Sequence, residues 1–546
     1  MRKFSLLLTL LVFTSLCNFL FAQIPNWLWA KSAGGSKYDI ATSVVTDASG
    51  NSYVTGYFES PVISFGTDTL TNAGGYDIFL AKYNINGNLQ WAKSAGGKYW
   101  DKANSIALDS SGNIYVTGCF QSDTLIFGST TLIDKGGYNI FLVKYDNNGN
   151  VIWAKSAGGT GNDYATSVAV DASGNVLLTG NYSSPSINFG NSILMNTGYN
   201  DIFLAKYDAN GNVLWAISEG GGDDDYASSV AVDTLGNTYL AGYFYSPSIK
   251  FGSTILINEA GNNVFLAKFD SNGNVLWAKS AGETTIGQVS SVAVDASGNA
   301  YLTGYYSSST ISFDIITLTN TNVLFNDIFL VKYDANGNTL WARNAGGVDD
   351  DKAYAVAVDA SGNAYLTGYF NSPTITFGST TITNGGIYNI FLSKYSTDGN
   401  LIWANRLGGN NDDVANSIAL DATGNIFVTG DFLSDTICFG SDTLKNVGAT
   451  DIFIAKASSS TGMYELKNSL NISVFPNPAT NNITIDAGNL RSKSYDLRVY
   501  DVIGNMVLEK NFNNKTTIDI SSFPCGVYVG EVRDEKGVAV EKFVKE

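Results

Sequence analysis

Tryptophan returns at Trp29, Trp91, Trp153, Trp215, Trp277, Trp341 and Trp403, at spacings of 62, 62, 62, 62, 64 and 62 residues. The text around each tryptophan repeats as well. A period of this size means that each repeat is one supersecondary unit, which buries its apolar surface only by stacking on its neighbours. In one unit, residues 353–359 (AYAVAVD) alternate as a strand and Ala360-Ser361-Gly362-Asn363 is a turn. Residues 364–370 (AYLTGYF) form a second strand, and a polar stretch follows. Residues 389–395 (NIFLSKY) and 401–409 (LIWANRLGG) form the third and fourth. Short runs rich in Val, Ile, Tyr and Phe between Gly/Asn/Asp turns read as hairpins, not helices. With 57 Gly against 8 Pro and 13% aromatic residues, the composition suits tight turns and packed strands.

Seven units of four antiparallel strands predict an all-β, seven-bladed β-propeller. The array opens on a fourth-type strand, Trp27-Leu28-Trp29-Ala30, and closes on a third-type strand, residues 451–456. This shift predicts that the N-terminal strand completes the last blade and so hides the free edges. An open solenoid would need capping repeats, and the text holds none. The SVAVDASGNAYLTG and DIFLAKYDANGNVLWA blocks resemble the seven-bladed β-propeller repeat family of bacterial surface and secreted proteins, over about residues 26–456. The resemblance implies the fold and no single activity.

Met1-Arg2-Lys3 followed by the apolar stretch Phe4–Phe21 reads as a signal peptide at 1–22, cut after Ala22. The alternative is an uncleaved anchor, since the stretch is near spanning length. No later stretch reaches that length, so no transmembrane segment is expected once the leader is gone. Net charge is −17, and losing Arg2 and Lys3 makes it −19. Such a chain should repel nucleic acid and anionic membranes. There is no histidine. That excludes His bases, Ser-His-Asp triads and His-ligated metals. Beyond Cys17 in the leader, only Cys119, Cys438 and Cys525 remain, far apart, so no disulfide framework is expected.

The predicted domains are the signal peptide at 1–22, the propeller at 23–456, a linker at 457–470 and a C-terminal module at 471–546. The last has about seven short strands, which fits a small Ig-like β-sandwich. Its Pro476-Asn477-Pro478, VYDVIGN, FPCGVYVGEV and terminal EKFVKE segments resemble the type A C-terminal sorting domain of the type IX secretion system. The resemblance implies export across both membranes of a Bacteroidota-type cell, to the outer surface or beyond, with the type IX machinery as partner. It marks Pro476, Asn477, Pro478, Gly504, Gly526, Lys542 and Lys545 as sorting-signal residues. Cys525 departs from the pattern and reads as a small buried residue.

Propeller geometry puts the longer fourth-to-first and second-to-third connections on one face, where function usually sits. An acidic position precedes the innermost strand in six units: Asp39, Asp101, Asp163, Asp225, Asp351 and Asp413, with Gln288 in the fifth. Six carboxylates around one axis would attract a cation or a ligand. Asp223-Asp224-Asp225 supplies the oxygen set that calcium prefers. The competing reading is that each aspartate caps its own loop. The polar insertion between second and third strands reads as an extra hairpin that would rim the same face with hydroxyls and amides. Asp47 and its six counterparts read as turn-formers.

No P-loop, nucleophile elbow, HExxH or EF-hand motif is present. The expected function is a secreted or cell-surface, non-catalytic binding or adhesion module for a glycan or another surface protein. The alternatives are an Asp-dependent polysaccharide hydrolase or lyase using Asp225 and Asp351, or a passive surface scaffold.

Overall fold

The computed structural model describes residues 25–259, 261–282, 287–458, 472–487, 494–501, 506–534 and 537–546. All regular structure in them is strand, and no helix is long and apolar enough to cross a membrane. The chain divides into two units, residues 1–461 and 462–546. The leader and most of the expected linker lie outside the described residues.

The larger unit holds seven antiparallel sheets of the propeller kind among the described residues, six of four strands and one, the fifth, whose four strands are extended by the hairpin Thr374–Phe377 and Thr380–Thr383. In the first, Asp39–Thr46 is the inner strand, followed in order by Ser52–Phe58, Asp77–Tyr83 and Leu89–Ala95. The same order recurs from Asp101, Asp163, Asp225, Gly287 and Asp351. In the seventh sheet, Asp413–Leu420, Ile426–Phe432 and Asp451–Ala457 receive their outer strand from the start of the chain, Trp27–Ala33.

Inner strands of successive sheets bond to one another. Thr42 Oγ donates to the Ala103 carbonyl at 3.0 Å and Thr166 Oγ to that of Ala227 at 2.9 Å. The seventh and first sheets repeat the bond: Asn416 Nδ2 donates to the Ala41 carbonyl at 3.0 Å. Middle strands such as Ile114–Phe120 are buried throughout, because a sheet covered on both faces has no polar side. Each core joins two sheets; one gathers Tyr365, Ile390 and Leu392 of the sixth with Ile418, Val428 and Phe453 of the seventh.

The period-defining tryptophans pin these seams. Trp153 Nε1 and Lys144 Nζ both donate to the Ala209 carbonyl of the next sheet, at 3.2 and 3.0 Å. Gly211 lies beneath that indole with φ +78°, and an added Cβ would stand 3.1 Å from the ring. Positive φ and the close approach together demand glycine there. Trp29, in the N-terminal strand, donates to the Ile85 carbonyl of the first sheet at 3.0 Å.

The insertions are hairpins, as expected, but they do not rim a face. Val62–Phe65 pairs with Asp68–Thr71, and Ile63, Phe65 and Leu70 are buried. They pack with Trp29 and Ala33 of the preceding sheet's outer strand, and with Leu89 and Ala92 of their own. Each hairpin therefore fills the seam between outer strands. Its alternating apolar residues determine this, since only that seam offers apolar cover.

The C-terminal unit has two antiparallel sheets, one of Ser473–Phe475, Asn482–Asp486 and Lys515–Asp519. The other comprises Tyr495–Tyr500, Met506–Phe512, Gly526–Asp534 and Gly537–Lys545. They share one core around Ile483, Leu497, Val532 and Phe543. Cys525 is exposed, not buried as the sequence suggested, because it lies in the turn before strand Gly526–Asp534. Cys438 is exposed and Cys119 buried.

Candidate binding face

The six aspartates are not exposed before the inner strands; each is the first residue of one, and all are fully buried. Ser122 Oγ donates to Asp101 Oδ2 at 2.7 Å, and the Ser122 amide to Oδ1 at 3.2 Å. Ser60, Ser184, Ser246, Ser372 and Ser434 serve Asp39, Asp163, Asp225, Asp351 and Asp413 in the same way. These carboxylates are therefore occupied from within the fold. Burial raises every one, to about 6 for Asp225 and about 7 for Asp351, against the lowering effect of the serine bonds.

The register corrects the fifth repeat. Gly287, opposite Tyr306, takes the aspartate's place; Gln288 stands one residue on, opposite Tyr305. Asp223, Asp224 and Asp225 do not converge. Asp225 is bound to Ser246, while Asp224 accepts from Asn200 Nδ2 at 2.6 Å. Among the described residues, no group of three or more acidic or cysteine side chains is arranged to hold a metal ion.

Sequence reasoning missed a second buried acid at the head of the third strand: Asp77, Asp201, Asp327 and Asp451, with asparagine in the other three sheets. Burial first, then Asp101, lifts Asp77 to about 6. The Gly-Gly at the end of the outer strand, present in every sheet but the fourth, packs against these positions. A Cβ on Gly96 would meet Asp77 Oδ1 at 2.1 Å, and one on Gly97 would meet Ser122 at 2.7 Å. The turn aspartates are equally internal. Asp109 accepts from the Ser111 and Asn113 amides at 3.0 and 2.9 Å and faces Lys144 Nζ at 3.7 Å.

The remaining candidates for ligand contact lie where the repeats stop being copies, although Cys119, Asn181 and Tyr369 among them are buried. Two paired positions vary around the inner mouth of the loop-rich face. The inner-strand residue is Ile40, Lys102, Tyr164, Tyr226, Gln288, Lys352 or Val414. Its partner on the second strand is Tyr57, Cys119, Asn181, Tyr243, Tyr305, Tyr369 or Asp431. Six of these fourteen are tyrosine. Comparing the repeats for their differences would have found them.

The aromatic groups attract cations. Lys102 Nζ stands 4.7 Å from the centroid of Tyr57, 4.6 Å from Tyr76 and 5.5 Å from Trp100. Lys352 Nζ stands 4.8 Å over Tyr305. Ring faces carry negative potential, so an ammonium among them is stabilised. Burial lowers Lys102 below its usual range. Asp431 closes the belt with its pKa at about 7, raised by burial first, lowered by an Asn416 bond and raised again by Asp413.

Comparison with known proteins defines the class. Residues 90–118 and 402–431 match the family described as Beta-propeller repeat; the larger unit is built of such repeats. Residues 473–546 match the family described as Secretion system C-terminal sorting domain. The chain therefore carries a type IX sorting domain, which directs it to secretion and the outer cell surface. In that domain Asn477 Nδ2 donates to the Lys542 carbonyl at 2.8 Å, and Asn477 Oδ1 accepts the Val544 amide at 2.9 Å. Pro476-Asn477-Pro478 is thereby fastened to the final strand, which pairs Gly526 with Lys545. Gly504 lies outside the described residues.

An uncharacterized WD repeat-containing protein of Acanthamoeba polyphaga mimivirus is 26% identical, over 76% of this chain and 36% of its own length. A regulatory protein, FlaEY, of Caulobacter vibrioides is 24% identical, over 72% of this chain and 43% of its own. The chain thus spans less than half the length of either relative. A solved puromycin hydrolase aligns at 10% identity and TM-score 0.41, over 82% of this chain and 58% of its own. A Xanthomonas campestris gluconolactonase aligns at 12% and 0.31, over 65% and 85%.

Proposed function

We propose that the chain is a surface-displayed, non-catalytic binding module, and that its seven sheets are the blades of a closed propeller carried by an Ig-like sorting sandwich. Closure is supported by the Trp27–Ala33 strand in the seventh sheet and by the Asn416–Ala41 bond between the seventh and first. The observation that carries the binding reading is an aromatic mouth whose paired positions differ from repeat to repeat, in a molecule whose turn aspartates and seam tryptophans recur in every unit. A ligand there, a glycan or another surface protein, would gain from several weak contacts at once.

Against an Asp-dependent hydrolase or lyase stands the internal bonding of Asp225 and Asp351 to Ser246 and Ser372. The test is binding of the mature chain to a glycan array and to whole cells, in calcium and in EDTA. Saturable binding in both buffers is the expected result. Binding lost in EDTA would return a cation to the site, and no binding to any surface would sink the reading. Turnover of a polysaccharide, lost on mutating Asp225 or Asp351, would replace it with the enzyme.

A further inference from the structure

The Lys102 cage has a counterpart that lacks its lysine. Its walls occupy fixed repeat positions: Tyr57 on the second strand, Tyr76 before the third, and Trp100 and Lys102 either side of the next inner strand's first residue. Between the sixth and seventh sheets these same positions hold Tyr369, Tyr388, Asp412 and Val414. The tyrosine pair is kept in type and spacing but not in angle: Tyr369 and Tyr388 have centroids 4.7 Å apart at 37°, against 5.1 Å and an edge-on 72° for Tyr57 and Tyr76. Tyr354 adds a third ring, 5.6 Å from Tyr369. The cation is not kept, because Val414 is uncharged and short. Among the described residues no lysine or arginine stands over Tyr369 or Tyr388, whereas Lys102 and Lys352 stand over the equivalent tyrosines.

The tryptophan position has become a carboxylate. Asp412 Oδ1 is shielded from solvent and has no hydrogen-bond partner. A buried acceptor without a donor is costly, and an ammonium N–H would satisfy it. Tyr388 also lies in the field of Asp412, Asp350 and Asp349. Two tyrosine faces, an unfilled acceptor and negative potential thus meet where a repeat-related position holds an ammonium.

We propose that this site between the sixth and seventh sheets, formed by Tyr369 and Tyr388 with Asp412 beside them, receives a primary alkylammonium group, namely a lysine side chain of a partner protein. A primary group is specified over a quaternary one because Asp412 Oδ1 needs an N–H. Lysine is specified over an amino sugar because the repeat-related cage is filled by a lysine on its four-carbon stem. The net charge of −17 favours such a basic partner. The inference rests on the binding reading above and names the chemistry of its ligand.

The test is calorimetric titration of the full mature chain with Nα-acetyl-lysine N-methylamide, glucosamine and choline. The lysine probe should bind saturably, with glucosamine and choline each at least about tenfold weaker. Val414→Lys should abolish binding, because the new lysine fills the site as Lys102 fills its own. Asp412→Asn should weaken it about tenfold, and Lys102→Val should open a second site at least about tenfold weaker than the first, because Trp100 stands there in place of the carboxylate. Thermal melting checks that each variant is folded. No saturable binding, or binding unchanged in a folded Val414→Lys, would overturn the proposal. Equal choline binding would overturn the role of Asp412, and preference for glucosamine would overturn the lysine assignment. If the wild-type chain adheres to cells yet ignores the lysine probe, the site falls and the broader binding reading stands.

Discussion

At the residue scale, the buried carboxylates set an unusual pH response. Asp225 and Asp351 titrate at about 6 and about 7 in the fold, and Asp77, Asp327 and Asp451 at about 6, all raised first by burial from 3.8. Between the unfolded and folded values the native state holds more protons, so stability falls as pH rises through roughly 4 to 7. Asp421 works the other way. Burial pushes it up, but bonds from Thr423 and Asn425 and the charge of Lys456 outweigh that and hold it low. Its contribution is present above the unfolded value and lost in stronger acid. Denaturant titrations should therefore show greatest stability near pH 4–5 and a decline toward pH 8. Asp351→Asn should flatten that decline, and an unchanged slope would reject the assignment. Ser122→Ala, which takes a donor from buried Asp101, should cost about 1–3 kcal/mol at pH 7. The recurrence of these aspartates was legible in the sequence, but their burial was not. The covering Gly-Gly reads as a flexible loop until Gly96 is seen against Asp77. The misplacement of Gln288 had a similar cause: the fifth connection differs from the others, and only strand pairing shows that Gly287 heads the strand.

At the element scale, strands and turns were legible because alternation and Asp/Asn/Gly spacing are local signals. Asp109 and Asn113 specify their turn within five residues. The hairpins' destination was not legible. The alternating burial of Val62–Phe65 says that one side is covered, not which strands cover it. The N-terminal strand yields the sharpest prediction. Deleting residues 25–33 would bare the edge of Asp451–Ala457 and remove the Trp29–Ile85 bond. The deleted protein should melt lower and self-associate, and a peptide of residues 25–33 should restore the native transition by adding back as a strand. Failure of the peptide to shift the melt would argue against a separable strand. At a single seam, Trp153→Phe keeps the ring but loses the bond to Ala209, for a loss of about 1 kcal/mol by denaturant midpoint.

At the scale of the whole molecule, the sorting module and the repeat unit are separate compact bodies. Truncation after Ser458 should leave the seven sheets folded and stop export, so fractionation should find the chain inside the cell envelope. Surface arrival of that truncation would refute the module's role. Asn477→Ala, which frees the Pro-Asn-Pro segment from the last strand, should slow export without changing the melt of the repeat unit. In that unit the chain enters and leaves at one place: the Ser458 amide donates to the Asn26 carbonyl at 2.8 Å. On the proposed closed ring, the chain's start and finish in this unit become conventions of the gene. A permuted gene, opened at a tight turn with Asn26 and Ser458 joined through a short bridge, should then yield a repeat unit with the same thermal melt, and a permutant that fails to fold would count against the closed ring.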